Sequence, residues 1–252
     1  YGSGSRDVFF LNSKDELIKA FQVVKELEED FILEQAAEGE EYSIDGAVFD
    51  GKLQITLLRK KIITPLPVRQ PIASFAEKDS GLYNRVNEFM QKVVEALQYN
   101  NCLINADLII NEDEIFVIEA APRPSGHNLH NVFVPLATNV DIAEEYIKFL
   151  CGKPFNFVAK KIENIEIRFF DFENVIAKHV PVCDEITDGL GDNLIVWNCN
   201  IKEGEYLGKV VNGHSIMGRG FFIIKGDSEQ DLIQKSNWVL SQFNMEQKGV
   251  EA

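Results

Sequence analysis

Two β-rich runs, residues 103–110 and 115–120, are separated by the polar turn Asn111-Glu112-Asp113-Glu114. This pattern predicts a β-hairpin. If the turn centres on Asp113, then Asp107 and Glu119 lie opposite each other on one sheet face, with their β-carbons roughly 4.5–5.5 Å apart. The register decides this point, because an even-length loop would place the two carboxylates on opposite faces.

Two carboxylates at that separation repel each other, and neither can be buried in its ionised form without a compensating charge. A divalent cation supplies that charge. Ligands that are all oxygen favour Mg²⁺ or Mn²⁺ over zinc, and Mg²⁺ is usually held by one or two carboxylates together with substrate phosphates. Asp107 and Glu119 therefore predict a metal site beside a nucleotide. A plain hairpin with Glu119 facing solvent is the alternative that the hairpin alone leaves open.

The composition excludes several classes of protein. A formal net charge of -15 over 252 residues argues against nucleic-acid binding, since phosphate backbones select basic surfaces. The four cysteines form no C-x-x-C pair, which fits reduced thiols in a cytoplasmic protein and indicates no zinc site. No stretch approaches the length of about 20 apolar residues that spans a bilayer, and the first residues lack a secretory pattern. We expect no membrane partner and a cytoplasmic location.

Hydrophobic periodicity and turn signals predict alternating helices and strands. The predicted helices cover 13–27, 85–97, 141–150 and 228–243. The predicted strands cover 31–35, 42–49, 52–63, 103–110, 115–120, 162–170, 175–182, 194–198 and 219–224. The Pro-rich residues 64–71 read as a connection. Because the pattern becomes mostly β after Pro154, we expect two domains, 1–154 and 155–252.

The stretch from Phe31 to Gly46 places Glu34 and Glu41 seven residues apart, on either side of a connection into a hairpin. With the acidic hairpin and the segment Pro122-Arg123-Pro124-Ser125-Gly126, this resembles the ATP-grasp family. The resemblance implies that main-chain groups of Glu34, Gln35, Ala36 and Ala37 meet the adenine and that Glu41 holds the ribose. It also implies that Asp107 and Glu119 hold Mg²⁺.

The same resemblance makes Arg123 the catalytic arginine, which meets the phosphates and the carboxylate or acyl-phosphate. Its planar guanidinium matches oxyanions better than an ammonium does. The amino-terminal residues Ser3, Gly4, Ser5 and Arg6 look like the glycine-rich loop that covers the triphosphate, where main-chain N–H groups can approach oxygens closely. A linker is the other interpretation of this short Gly/Ser segment.

The implied fold class is α+β, with an ATP-grasp antiparallel sheet flanked by helices and then a smaller β-rich α+β carboxy-terminal region. The implied activity is that of an ATP-dependent ligase that uses ATP with Mg²⁺ or Mn²⁺. Such an enzyme activates a small carboxylate as an acyl-phosphate for attack by an amine. A carbamoyl-phosphate-synthase-like enzyme and a non-catalytic nucleotide-binding module stay open as alternatives. A homodimer is the default expectation for the assembly.

Two departures from the family pattern affect these expectations. The family usually has Asn two residues after the second acidic ligand, and this chain has Ala121. The family also has a preceding domain and a strand lysine that would lie before Tyr1, so we expect this fragment alone to be inactive and to bind nucleotide weakly. The basic run Arg59-Lys60-Lys61 predicts a solvated strand end, with one side chain as a substrate contact in the alternative. Arg69 is a candidate partner for a substrate carboxylate.

Overall fold

The computed structural model describes residues 8–27, 31–65 and 69–247. The helices are α1 (Lys14–Leu27), α2 (Ser80–Leu97), α3 (Val134–Thr138), α4 (Ile142–Leu150), α5 (Cys183–Leu190), α6 (Gly213–Met217) and α7 (Glu229–Ser241). The strands are β1 (Glu40–Phe49), β2 (Lys52–Ile63), β3 (Pro71–Ala76), β4 (Cys102–Ile110), β5 (Ile115–Ala121), β6 (Ile165–Phe169), β7 (Val175–His179), β8 (Leu194–Cys199), β9 (Tyr206–Leu207), β10 (Gly220–Lys225) and β11 (Asn244–Gln247). A π-helical turn (Leu129–Phe133) precedes α3, and a 3₁₀ turn (Gly191–Asn193) follows α5.

The strands form two antiparallel sheets. The larger has eight strands in the order β5-β4-β1-β2-β3-β6-β10-β8, and the smaller has three in the order β11-β7-β9. Together with the flanking helices, this architecture confirms the predicted α+β class with a large antiparallel sheet.

Side-chain caps explain where the helices begin. Ser13 Oγ accepts a hydrogen bond from the Glu16 N–H at 3.2 Å, which starts α1 where the capping pattern predicts it. Asp79 caps α2 by accepting from two N–H groups of the first turn, so this helix begins earlier than its apolar periodicity indicates. Among the helices that the structure describes, none is long and apolar enough to cross a membrane.

Helix α2 covers one face of the sheet at β1, β2 and β4. Its buried residues Val86, Met90 and Val94 pack against alternate side chains of these strands. These strand residues are Tyr42, Ile44, Val48, Leu53, Leu58, Ile104, Ala106, Leu108 and Ile110. Because side chains alternate across a strand, the intervening residues must face the opposite side of the sheet.

One prediction of secondary structure is wrong, and one strand of the large sheet was not predicted. Residues 31–35 are exposed and have no regular structure, because the apolar run at 31–33 finds no neighbouring strand within the described part of the chain. The residues after the Pro-rich connection do form a strand, β3, which pairs with β2 and β6. Pro71 is the first residue of β3, a position where the missing N–H of proline is tolerated.

The predicted domain boundary near residue 155 is crossed by β-strand pairing. Strand β3 pairs with β6, so the eight-stranded sheet contains strands from both sides of the boundary. Phe157 is fully buried against Phe49 at a ring-centroid distance of 5.1 Å, and its carbonyl accepts a hydrogen bond from Thr56 Oγ1 at 2.8 Å. The division into units 1–154 and 155–252 stays a prediction.

Candidate functional site

The face of the sheet opposite α2 is polar over four adjacent strands, and we call it the polar face. It consists of Glu41, Ser43 and Asp45 on β1, Arg59 and Lys61 on β2, Asn105 and Asp107 on β4, and Glu119 on β5. Within each strand these residues are spaced by two, and strand pairing aligns them. Ser43, for example, has Arg59 as its Cα partner on one side and Asp107 on the other.

Asp107 and Glu119 are Cα partners, as predicted, but for a reason that the sequence does not show. Ile110 pairs with Ile115, and Leu108 pairs with Val117, so an unbroken ladder would place Ile118 opposite Asp107. A bulge between Asp107 and Leu108 shifts the register by one residue and brings Glu119 opposite Asp107. The four-residue turn is of even length, and the bulge compensates for it.

Lys61 links two carboxylates at the centre of the polar face. Its Nζ lies 2.7 Å from Asp107 Oδ2 and 3.8 Å from Glu41 Oε2. Asp107 Oδ1 accepts a hydrogen bond from Ser43 Oγ at 2.5 Å. Burial alone would raise the pKa of Asp107, but the Lys61 ammonium and the hydrogen bonds from Lys61 and Ser43 outweigh it and lower that pKa below its ordinary value. Asp107 is therefore ionised at neutral pH.

Glu41, the predicted ribose ligand, is buried and paired with Arg69. Arg69 Nε donates to Glu41 Oε1 at 3.1 Å, and Nη2 of the same guanidinium also contacts this oxygen. The Arg69 guanidinium carbon lies 5.2 Å from the centroid of the Phe10 ring. Arg69, expected as a partner for a substrate carboxylate, thus meets a carboxylate of the protein itself.

The polar face contains a fully buried ion pair. Arg59 Nε donates to Asp45 Oδ2 at 2.7 Å, with side-chain exposures of 1% and 0%. Ser125 Oγ donates to the other oxygen of Asp45, and the Ser125 carbonyl contacts His130 Nδ1. Asp45 therefore connects the sheet to the loop that carries Arg123. The prediction of a solvated strand end at Arg59 is wrong, because Asp45 on the neighbouring strand neutralises its charge.

Arg123 lies at the exposed rim of the site. Its side chain is 55% exposed, and its Nη2 lies 3.8 Å from Oε1 of Glu119, which is 57% exposed. Arg123 Nη1 also donates to the Pro124 carbonyl at 3.0 Å. An ion pair with this exposure adds little to stability. Both groups are therefore free to meet a ligand at low energetic cost.

His127 lies on the Arg123 side of the site. Burial lowers the pKa of His127, and the nearby positive charges of His214 and Arg123 lower it further. The imidazole is therefore neutral at pH 7.

The remaining predicted nucleotide contacts lie away from the polar face or outside the described residues. Glu34, Gln35 and Ala36 are exposed, Ala37 is half-buried, and none belongs to a regular element. The next carbonyl, that of Glu38, accepts a hydrogen bond from Asn111 Nδ2 at 3.0 Å, which connects this segment to the acidic hairpin. Ser3, Gly4, Ser5 and Arg6 lie outside the described residues.

Sequence reasoning missed Ser43, Asp45 and Asn105. Their signal is the alternation of polar and apolar residues along β1 and β4, in which Ser43, Asp45 and Asn105 each follow an apolar or aromatic residue. Asn105 is 6% exposed, and its Nδ2 donates to the Ile44 carbonyl at 2.9 Å. Its Cα partner on β5 is Ala121.

The donor chemistry of the polar face fits a hard divalent cation. Asp107 and Glu119 offer carboxylate oxygens from adjacent strands, and Mg²⁺ is usually held by one or two carboxylates with substrate phosphates. Over the described ranges 8–27, 31–65 and 69–247, no group of three or more His, Cys, Asp or Glu residues is placed to hold a metal ion. The charged protein ligands that these residues offer are therefore two carboxylates, and neutral oxygens would complete the coordination.

Comparison with known proteins places this site in a family. Residues 1–131 match the ATP-grasp domain family. No curated protein matches the chain by sequence.

Solved structures share the fold at low sequence identity. The L-amino acid ligase from Bacillus licheniformis has a TM-score of 0.75 at 13% identity, with 96% of this chain and 61% of that chain covered. Phosphoribosylglycinamide synthetase from Anaerococcus prevotii has a TM-score of 0.66 at 16% identity, with 94% of this chain and 61% of that chain covered. The biotin carboxylase domain of the Hydrogenobacter thermophilus 2-oxoglutarate carboxylase, a dimer in complex with MgADP, ADP and bicarbonate, has a TM-score of 0.67 at 14% identity, covering 97% and 55%.

This chain thus spans about three fifths of the length of these structures. The match over residues 1–131 includes the polar face and Arg123. The chain belongs to the ATP-grasp family.

Proposed function

We propose that this chain is the metal- and nucleotide-binding part of an ATP-dependent ligase that activates a small carboxylate as an acyl-phosphate for attack by an amine. The observation that carries the proposal is the register of Asp107 opposite Glu119, on a polar face that continues into the Arg123 loop. Among the structures of similar fold, one is named as an L-amino acid ligase and another as a phosphoribosylglycinamide synthetase, which supports a ligase activity.

Each polar group has a proposed part in this activity. Asp107 and Glu119 would hold Mg²⁺ or Mn²⁺. When bound with ATP, such a cation neutralises the negative charge of the phosphate oxygens. Glu41 faces the ribose, and Glu34, Gln35, Ala36 and Ala37 offer main-chain groups to the adenine. Arg123 binds the oxygens of the transferring phosphoryl group, because its exposed guanidinium can leave Glu119 at little energetic cost.

Lys61 has a second role in this proposal. Its ammonium lies 2.7 Å from Asp107 Oδ2 and balances the charge of this carboxylate. With a cation held at Asp107, Lys61 would have its positive charge available for phosphate or substrate oxygens. Lys61 is nearly buried, so the charge acts at short range with little screening.

Turnover of the full-length protein tests the proposal. ATP-dependent phosphate release is measured across a panel of carboxylates and amines, first for the unaltered protein. Asp107→Asn removes the negative charge while keeping the side-chain shape, and we expect phosphate release to fall by about a hundredfold or more. Asp113→Asn, the same change at an exposed position in the turn of the same hairpin, is the matched control and should leave release unchanged. Full turnover in folded Asp107→Asn would exclude the metal assignment.

A non-catalytic nucleotide-binding module is the second candidate, and Ala121 favours it. This position on β5 carries no oxygen ligand beside Glu119. A module would bind Mg²⁺ and ATP without releasing phosphate on any member of the panel, whereas a ligase releases phosphate when the correct pair is present. A cytoplasmic location and a homodimer stay predictions.

A further inference from the structure

Four residues form a compact block at the centre of the β4–β5 pair. Asp107 pairs with Glu119, and two residues along the strands Asn105 pairs with Ala121. All four therefore lie on the same side of the sheet. Three of these positions carry side-chain oxygens and the fourth carries a methyl group.

The amide of Asn105 is held in one orientation. Its Nδ2 donates to the Ile44 carbonyl on β1 at 2.9 Å, which decides which end of the amide is nitrogen and which is oxygen. Within the described structure, Oδ1 of the same group accepts no hydrogen bond. Asn105 is only 6% exposed, so most of its side chain is held in place by the surrounding sheet.

We propose that Asn105 Oδ1 is a third protein ligand of the cation held by Asp107 and Glu119, an inference that rests on the proposed function. Amide carbonyl oxygens are suitable ligands for hard divalent cations, and a neutral one adds no repulsion to two carboxylates. Neighbours on one face of an antiparallel pair are roughly 4.5–5.5 Å apart directly and 7–8 Å apart diagonally. Side chains of two to three carbons can converge on one ion over these distances.

The charges around the block support a neutral third ligand. Asp45, the Cα partner of Asn105 on β1, is fully buried, and its charge is already balanced by Arg59, while Ser125 donates to its other oxygen. Lys61 contacts Asp107 Oδ2. Before a metal binds, a third carboxylate in place of Asn105 would add a negative charge that these cations do not balance. An amide supplies the oxygen without that charge.

Binding of Mn²⁺ to the full-length protein in the presence of ADP tests this inference. Free and bound Mn²⁺ are distinguished by electron paramagnetic resonance, so the readout does not depend on turnover. We expect Asn105→Ala to weaken Mn²⁺ binding by about tenfold or more, because one inner ligand is lost. Mn²⁺ affinity unchanged in this variant, with circular dichroism showing a folded protein, would overturn the assignment.

The Asn105→Asp variant tests whether Asn105 is a metal ligand or acts only through its hydrogen bond. Aspartate keeps an oxygen for the metal but loses the Nδ2–H that donates to the Ile44 carbonyl. If Asn105 is a ligand, this variant binds Mn²⁺ at least as tightly as the unaltered protein, although its melting temperature without metal is lower. If Asn105 acts only through its hydrogen bond, Asn105→Asp binds Mn²⁺ as weakly as Asn105→Ala, which would refute the inference.

A relocated amide provides the rescue experiment. In the double variant Asn105→Ala with Ala121→Asn, an amide returns to the same block from the facing strand, and we expect recovery of most of the lost Mn²⁺ affinity. Absence of recovery in a folded double variant would count against a ligand at this block.

The Asp107→Asn variant distinguishes the two proposals. Unchanged Mn²⁺ binding in this variant would rule out the metal site itself. Lost Mn²⁺ binding in Asp107→Asn together with normal Mn²⁺ binding in Asn105→Ala would rule out only Asn105 as the third ligand.

Discussion

Replacement of Glu166 by glutamine is expected to make the stability of the protein less dependent on pH. Glu166 is 2% exposed in β6, and its Oε2 accepts a hydrogen bond from Ser236 Oγ of α7 at 2.7 Å. Burial raises the pKa of Glu166 from 4.5 to about 7, against the opposing effects of the Ser236 hydrogen bond and the Arg168 charge. The neutral carboxyl is therefore the form that the folded protein favours.

The sign and size of the effect follow from this pKa. Between pH 4.5 and 7 the folded protein keeps a proton that the unfolded chain releases, so stability falls as pH rises through this window. At about 1.4 kcal/mol per pH unit, the difference between 4.5 and about 7 corresponds to a loss of about 3 kcal/mol. Glutamine does not ionise, so the Glu166→Gln variant escapes this loss.

Urea unfolding of both proteins at pH 4.5, 5.5, 6.5 and 7.5 measures the effect. The other ionisable groups are common to both proteins, so they largely cancel in the difference between their free energies of unfolding. We expect this difference to change in favour of Glu166→Gln by about 3 kcal/mol from pH 4.5 to 7.5. Glu163→Gln, at a half-exposed side chain in the segment before the same strand, is the matched control and should change stability little, because its ion pair with Lys161 is open to solvent. A pH-independent difference for Glu166→Gln would refute the reasoning.

Three further predictions concern the fold. Phe157→Ala should lower the free energy of unfolding by about 3–5 kcal/mol, and calorimetry should still show one transition, whereas two separate transitions would contradict coupling across residue 155. Gly220→Ala should cost about 1–3 kcal/mol in urea unfolding, because φ is +100° and a β-carbon would meet the Asn198 carbonyl oxygen at 2.0 Å. Gly204→Ala has φ +81° in open space and should cost less; an equal cost would show that the close approach is unimportant. Asp79→Ala should cost about 1 kcal/mol through the lost cap of α2, and an unchanged urea midpoint would contradict this.

The sequence predicted most helices and strands because their signals are local. The hairpin β4–β5 consists of two β-rich runs around a polar turn, β1 and β2 flank the Asp50-Gly51 turn, and α1 and α4 begin at side-chain caps. Strand β3 was missed because the Pro-rich residues before it indicate a loop, while its place in the sheet depends on β2 and β6. The predicted strand at 31–35 failed for the complementary reason, since an apolar run forms a strand only where another strand accepts it.

The candidate site also has features that the sequence predicts and features that it does not. Residue types and the position of the polar turn were enough to single out Asp107 and Glu119 as a pair, and the family resemblance added Glu41 and Arg123. The sequence could not show that the turn has the unfavourable even length and that a bulge corrects it. It also could not show that Arg59 is buried with Asp45, because that contact joins residues on different strands.

The sequence by itself determined which residues share a strand face, where most helices begin and which chemistry the acidic hairpin can support. These properties depend on neighbours within a few residues, through backbone sterics, side-chain alternation and capping. Only the tertiary structure decided the register between strands. That register brings Glu119 opposite Asp107, Asn105 opposite Ala121 and Lys61 between two carboxylates. Register depends on bulges and on the packing of the whole sheet, and a shift of one residue would move each of these side chains to the other face.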